Sequence, residues 1–179
     1  MPRARDSQRQ KVYDAEHALR DKLKLRKFKD LKDAQEYVNR ILSSSWYAKM
    51  FPGGRKNVTL RYSRGSSWAT ATSFGVINMP KTGWYWAGNN FVVLHELAHT
   101  LTPAAVEANM CAGSPKCGMH SEPWYHIKTP AAHGPEFTRI YLDLIRRWMG
   151  KDAYEAMKTQ YRTRRVKVAI RSKVYKEVV

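Results

Sequence analysis

Cysteine is scarce in this chain: Cys111 and Cys117 are the only two among 179 residues. Two cysteines are too few for the disulfide framework of a small secreted protein. A long apolar run is also missing, because the longest nearly apolar stretch, residues 91–101, contains two histidines and a glutamate. That stretch is far shorter than the roughly 20 apolar residues of a membrane-spanning helix. We therefore expect neither a disulfide scaffold nor a membrane span.

Internal repeats, low-complexity segments and the apolar core of a secretory signal peptide are absent as well, which predicts a cytoplasmic protein. Apolar residues nevertheless make up 43% of the sequence, enough for a packed core and against intrinsic disorder. The length predicts one domain over residues 1–179. Its expected parts are a helical region at 1–52, a catalytic core at 53–150, and a C-terminal helix with a basic tail at 151–179.

Acidic residues are few, since 15 Asp and Glu stand against 32 Lys and Arg and give a formal net charge of +17. The excess lies mainly at the ends: residues 1–60 carry 15 basic and 7 acidic side chains, residues 151–179 carry 9 and 3, and the middle carries 8 and 5. Nucleic acid is therefore a possible partner, bound through the two basic ends. No helix-turn-helix, zinc-finger or RRM signature accompanies the charge, so a simply solvated surface is the alternative.

Hydrophobic periodicity predicts an α+β fold. Apolar residues at three- and four-residue intervals indicate one helix over residues 7–27 and a second from Asp30 to about residue 51. Three stretches rich in β-branched and aromatic residues, 58–62, 68–72 and 74–78, predict a small, mostly antiparallel sheet.

The second half is expected to contain a central helix and further helices towards the C-terminus. Asn89 or Asn90 can cap a nearly all-apolar, and hence buried, helix over residues 91–101. A long irregular stretch follows, and Pro135 then opens a helix that Gly150 ends. Asp152 is the expected cap of the last long helix, and the tail after it fits either a strand or a helix.

The chemistry is expected in the central helix, which carries the run His95-Glu96-Leu97-Ala98-His99. Residues i and i+4 share one face of a helix, so the two imidazoles can bind one zinc ion. Glu96 can then act as the general base that takes a proton from a zinc-bound water as it attacks a carbonyl. The alternative is a helix that carries these residues by chance. We favour the metal site, because two histidines and a glutamate in an otherwise apolar helix need polar partners.

A catalytic zinc needs a third protein ligand and an open position. We favour His133, which stands just ahead of the helix that Pro135 opens, over Glu107, which lies eight residues beyond His99 in the irregular stretch. The expected cofactor is one Zn²⁺.

The run His133-Gly134-Pro135-Glu136-Phe137 after the first metal motif resembles the small intracellular zincins related to the SprT and WLM peptidase groups. The N-terminal runs Arg5-Asp6-Ser7-Gln8-Arg9 and Val12-Tyr13-Asp14-Ala15-Glu16 extend the resemblance to a family of metallohydrolases found in actinobacteria and their phages. It implies a zincin-like zinc hydrolase with His95, His99 and His133 as ligands and Glu96 as base. The chain lacks the four-cysteine zinc ribbon of the SprT group, which weakens any transfer of that group's DNA-linked role.

Other signals are weaker. Residues 73–79 would form the edge strand beside the cleft, where an extended peptide can add to the sheet. Tyr125 or His126 is a possible oxyanion stabiliser. A second metal could bind between the two cysteines and the histidines of the irregular stretch, Cys111, Cys117, His120 and His126, but the five-residue spacing of the thiols favours free side chains.

Three functions remain open at this point. The first is a zinc metallopeptidase that cleaves a protein or peptide substrate. The second is a nucleic-acid-binding protein on a zincin scaffold, or a peptidase recruited to nucleic acid. The third is a structural zinc protein without turnover, against which the open metal position argues.

Overall fold

A computed structural model describes residues 6–52, 54–72, 74–102 and 131–174. The described chain is α+β, as expected, with helices on both sides of the sequence region that forms the sheet. The elements in chain order are α1 (Arg9–Arg20), α2 (Leu31–Leu42), α3 (Ser45–Met50), β1 (Thr59–Ser63), β2 (Thr70–Ala71), β3 (Val76–Pro80), α4 (Trp84–Ala87), α5 (Asn90–Thr100), α6 (Pro135–Trp148), α7 (Lys151–Thr163) and α8 (Arg171–Val174).

The sheet is mixed, and the prediction that it is mostly antiparallel is wrong. Its strand order is β1-β3-β2. β1 pairs in parallel with β3 over five residues, from Thr59 opposite Val76 to Ser63 opposite Pro80, whereas β2 pairs antiparallel over two. After β1 the chain passes over the position that β3 later occupies. β2 therefore forms at the opposite edge of the sheet from β1. Residues 76–80 are therefore the central strand and not the predicted edge, and both sides of that strand are paired.

The N-terminal helices are shorter than the periodicity predicts. α1 ends at Arg20, and its buried side chains Val12, Ala15 and Leu19 share one face. The expected single helix after Asp30 is two helices, because the Ser44 side chain accepts a hydrogen bond from the Tyr47 amide and starts α3. A serine placed to cap a new helix offers the backbone an alternative to continuing the old one.

The central helix α5 is buried nearly all round, as its sequence predicts. The Asn89 side chain caps it by accepting from the amides of Phe91 and Val92. α5 packs against α6, and the buried Tyr141 hydroxyl of α6 donates to the Phe91 carbonyl at 3.2 Å. This packing places the start of α6 beside the histidines of α5.

The C-terminal part differs from expectation at two points. Gly150, and not Asp152, is the N-cap of α7, with a φ of 99° that glycine adopts without strain. Residues 166–170 pair with no strand of the described sheet. They run alongside α6, where the Lys167 carbonyl accepts from the Thr138 hydroxyl and the Ala169 amide donates to the Pro135 carbonyl.

Within the described ranges, no helix has both the length and the apolar character that crossing a bilayer requires.

Candidate metal centre

Three histidine rings meet between α5 and the start of α6. The Nε2 atoms of His95 and His99 are 3.1 Å apart, and those of His95 and His133 are 3.4 Å apart. Each ring offers one nitrogen to a group whose members all lie within 4.8 Å of one another. The structure thus brings together the three residues expected to be ligands, although 33 residues separate His99 from His133 in the sequence.

The spacing of these nitrogens matches what a tetrahedral metal ion requires. Zinc binds imidazole nitrogen at about 2.0–2.1 Å, and at tetrahedral angles two such nitrogens lie about 3.3 Å apart. The two Nε2–Nε2 distances, 3.1 and 3.4 Å, fall on either side of that value. The rings therefore need little rearrangement to bind one ion.

Local structure explains how each ring reaches the cluster. His95 and His99 lie one turn apart on α5, so both rings leave the same face of that helix. His133 comes two residues before α6, whose N-cap is Gly134 and whose first helical residue is Pro135. Adding a Cβ to Gly134 would bring it within 3.0 Å of the Ala131 carbonyl oxygen, so a glycine allows the tight approach of the chain at this point.

Two carboxylates from the N-terminal segment hold the far side of two of these rings. Glu16 of α1 lies 2.6 Å from Nδ1 of His95. Asp6, ahead of α1, lies 2.7 Å from Nδ1 of His133 and also accepts from the His133 backbone amide at 3.3 Å. Two of the three rings of the cluster are therefore held on the side away from the shared Nε2 atoms.

These contacts determine the chemical character of the cluster. A carboxylate only accepts, so Nδ1 of His95 and of His133 each carry the proton, and in the neutral ring the lone pair lies at Nε2. When both rings are neutral, the two Nε2 lone pairs face each other at 3.4 Å, and this repulsion is relieved by a shared proton or by a bound cation. A bound cation removes this conflict, and imidazole nitrogens of this kind suit zinc. The residues present therefore fit the expected metal.

The pKa shifts at the rings agree with this description. Burial, reinforced by the other two rings, lowers the pKa of His99 well below its usual value. Burial and the neighbouring His95 also lower the pKa of His133, although Asp6 opposes the shift. Burial lowers the pKa of His95 too, but the Glu16 carboxylate outweighs it and the pKa is raised. The surroundings of His95 thus favour a positive charge at the cluster.

Glu96, the predicted general base, follows His95 on α5 and is buried. Its pKa is raised to about 7: burial raises it most, the nearby His95 opposes, and Glu16 adds to the rise. Within the described part of the chain its carboxylate makes no hydrogen bond or ion pair, so its oxygens are not committed to a structural partner there. A nearby dication would lower this pKa again by direct attraction.

Aromatic rings enclose the cluster. Phe137 of α6 stacks on His99 with ring centroids 4.3 Å apart, and Tyr13 of α1 stacks on His95 at 5.8 Å. The edge of Tyr13 also meets His133 at 5.0 Å. Sequence reasoning singled out Asp6, Tyr13 and Glu16 only as part of a family resemblance and gave them no role. The N-terminal motif was the signal that marked them, because the hydrophobic pattern of α1 identifies only its buried side chains and not Tyr13 or Glu16.

The other candidate site residues lie outside the described residues, so their predictions stay open. They are the alternative third ligand, the possible oxyanion stabilisers and the members of a second metal site: Glu107, Tyr125, His126, Cys111, Cys117 and His120.

Comparison with known proteins finds no matching family model, no matching curated protein and no matching solved structure. The resemblance to SprT- and WLM-related zincins and to the phage and actinobacterial metallohydrolases therefore stays a prediction from the motifs.

Proposed function

We propose that this protein is a zinc-dependent hydrolase, and specifically a metallopeptidase. The observation that carries the proposal is the convergence of three imidazoles, His95, His99 and His133, with spacings that fit one tetrahedral ion. Three protein ligands, the number that the described residues provide, would leave one position of a tetrahedral ion for water or substrate, as in catalytic rather than structural zinc sites.

When bound, zinc supplies Lewis-acid chemistry: it polarises a carbonyl and lowers the pKa of water. The chain supplies the rest. Glu96, buried beside the ligands and free of other described partners, takes the proton of the attacking water and later delivers it to the leaving amine. Asp6 and Glu16 hold two ligand rings in the tautomer that leaves Nε2 available.

A peptide is the favoured substrate because a strand edge lies beside α5. Among the described residues, β2 pairs with β3 alone, and it packs against the metal-motif helix. An extended peptide can add to such an edge through main-chain hydrogen bonds, which would align its carbonyl groups along the helix. β2 takes the place of the edge strand that was predicted at residues 73–79, because β3 (Val76–Pro80) has a paired strand on each side.

The first experiment is metal analysis of the purified chain. We expect about one zinc per chain and its loss in His99→Ala. His17→Ala is the matched control, because His17 is an exposed histidine on α1 that belongs to no described metal group. A wild-type chain that stays metal-free after gentle purification and zinc addition would refute the proposal.

The second experiment separates binding from catalysis. Glu96→Gln keeps the size of the side chain but cannot accept a proton, so the variant should retain zinc while peptide cleavage, read by mass spectrometry on a peptide mixture, falls by about 10²-fold or more. Cleavage at the wild-type rate by this variant would show that Glu96 is not the base.

A second candidate function, recruitment of the peptidase to nucleic acid, is favoured by the charge around the sheet. Between Glu36 and Glu96 the chain has no acidic residue but seven basic ones, Arg40, Lys49, Arg55, Lys56, Arg61, Arg64 and Lys81. Arg61 and Arg64 line an open cavity of about 600 Å³ together with polar side chains of β1, β2 and β3. Neither arginine has a carboxylate partner within the described ranges.

Exposed aromatic side chains come from the same part of the sequence, from β1 to α4. Trp68 is 71% exposed, and Phe74 and Tyr85 are 65% and 80% exposed. Arginines that contact phosphates and aromatic rings on which bases stack are the combination found in single-stranded nucleic-acid sites. We therefore place the proposed nucleic-acid surface on the sheet rather than only at the basic ends of the chain.

The test is binding of a fluorescent oligothymidylate at several salt concentrations. Arg61→Ala with Arg64→Ala should weaken binding and reduce the log–log salt slope by about 1.4, the value for two contacts to a single strand. Lys151→Ala with Arg162→Ala removes the same charge from exposed positions of α7 and is the control. Equal effects of the two pairs, or no stimulation of cleavage by DNA or RNA, would count against recruitment through the sheet.

A further inference from the structure

The N-terminal segment holds the cluster at two places, ten residues apart in sequence. The Asp6 carboxylate accepts hydrogen bonds from the ring and from the backbone amide of His133. The Gln8 side chain donates to the His133 carbonyl at 2.7 Å. Glu16, two turns along α1, holds His95 at 2.6 Å. The ring of Tyr13 lies between these two anchors and touches both histidines. Four of the side chains around the metal ligands therefore come from one short segment.

We propose that residues 6–16 are an integral part of the metal centre: Asp6 and Glu16 are positioning residues that set its metal affinity, and docking of this segment is thermodynamically linked to metal binding. This inference rests on the proposed zinc site. It assigns a role to a segment that contributes no ligand and no catalytic base.

The physical argument begins with the geometry of the ligand rings. An imidazole on a flexible side chain binds metal well only when its ring is held in one orientation with the proton on the remote nitrogen. The Asp6 and Glu16 carboxylates impose both conditions on His133 and His95. Their negative charges also increase the electron density at the two Nε2 atoms, which favours a dication.

The anchors are themselves held in place by packing. Val12, Ala15 and Leu19 bury one face of α1, which packs against α7. Gln8 is buried and also bonds Lys167, accepting from its amide at 2.9 Å. The segment and the ion act on the same two rings. Docking of the segment must therefore favour metal binding, and metal binding must favour docking to the same extent.

The first test is zinc affinity measured by competition with a chromogenic chelator. Glu16→Gln and Asp6→Asn keep side-chain size but lose the charge, and each should weaken zinc binding by about 10- to 100-fold. Asp14→Asn is the control, since Asp14 is an exposed carboxylate on α1 that is bonded only to Gln10 among described residues. Asp6 lies ahead of α1, so Asp6→Asn leaves the helix itself unchanged.

A purely structural role would lower stability without altering the bound ion. The cobalt-substituted proteins distinguish a structural role from a positioning role, because the visible absorption of bound Co²⁺ reports the orientation of its ligands. We expect altered bands in Glu16→Gln and unaltered bands in Asp14→Asn. Zinc affinities of the Glu16 and Asp6 variants within twofold of the wild type would overturn the inference.

The second test is hydrogen exchange with and without zinc. Zinc should slow exchange of the α1 amides by more than it slows exchange of the α2 amides, because α2 contributes no residue to the cluster. Equal exchange of α1 in both forms would overturn the linkage. If the wild-type chain binds no zinc at all, the proposed function fails; if it binds zinc but these variants and exchange rates are unchanged, only this inference fails.

Discussion

The ring of His99 lies on the ring of Phe137, with centroids 4.3 Å apart and planes inclined by 25°. Phe137 also meets the edges of His95 and His133, each at 5.0 Å between centroids. One buried phenyl ring therefore contacts all three candidate ligands. Because it is buried, it packs against the three rings without exposing them to solvent on that side.

Phe137→Ala should cost both stability and metal affinity. Removing a buried phenyl ring costs about 3–5 kcal/mol of unfolding free energy in the metal-free protein, because it leaves a cavity. Zinc affinity should fall as well, since the three rings lose a common support. Phe28→Ala is the control: Phe28 is equally buried but packs on Tyr37, away from the cluster. It should lose stability without losing zinc affinity, as chemical denaturation and chelator competition will show.

Removal of the metal should itself destabilise the protein. A ligand that binds only the folded state adds about 2.7 kcal/mol when its free concentration is 100 times the dissociation constant. Chelation of zinc should therefore lower the melting temperature of the wild type, and addition of zinc should restore it. The same treatment should leave the melting temperature of His99→Ala unchanged. An equal shift in both proteins would mean that the ion acts elsewhere.

The parts of the site that could be predicted from the sequence are those fixed by local geometry. The spacing of His95 and His99 follows directly from the helix repeat, and Pro135 marks the start of α6 just after His133. The remaining contacts join distant segments: Asp6 and His133 are 127 residues apart, and Glu16 and His95 are 79 apart. Hydrophobic periodicity describes only the buried face of α1 and says nothing of the carboxylates beside it.

The difference between local geometry and contacts of distant segments also explains which predictions about the fold were wrong. Whether β3 is an edge or a centre depends on the path that the chain takes from β1, which no local pattern encodes. Asp152 is a residue type that commonly caps helices. The backbone nevertheless turns at Gly150 with a positive φ, so α7 starts at Lys151, before Asp152. Local propensity is weak wherever a glycine allows a sharper turn.

Stability of the metal-free protein should depend on pH through Glu96. Its pKa is about 7 in the folded state against an ordinary value of 4.5. Between these values the unfolded chain releases the proton and the folded chain keeps it, so the contribution of Glu96 to stability falls as pH rises through this window. Above about pH 7 both states are ionised and the contribution is constant.

The histidines also contribute, so the Glu96 effect must be measured as a difference. The raised pKa of His95 acts in the same direction, while the lowered pKa values of His99 and His133 make stability rise with pH around their ordinary value of 6.5. Subtracting the unfolding free energies of Glu96→Gln from those of the wild type, both with chelator, should leave a curve that declines between pH 4.5 and 7. A flat difference would show that the carboxyl is not buried as described.

Two fully buried tyrosines should respond in opposite ways to loss of the hydroxyl group. The hydroxyl of Tyr161 on α7 has no hydrogen-bond partner among the described residues, whereas that of Tyr141 on α6 donates to the Phe91 carbonyl at 3.2 Å. A buried hydroxyl without a partner costs about 1–3 kcal/mol of desolvation, while a satisfied one contributes about 0.5–1.5 kcal/mol. Tyr161→Phe should therefore raise the unfolding free energy of the metal-free protein, and Tyr141→Phe should lower it. Because both changes remove one oxygen atom and leave the ring in place, denaturant titrations that gave equal destabilisation would contradict the assigned hydrogen bond.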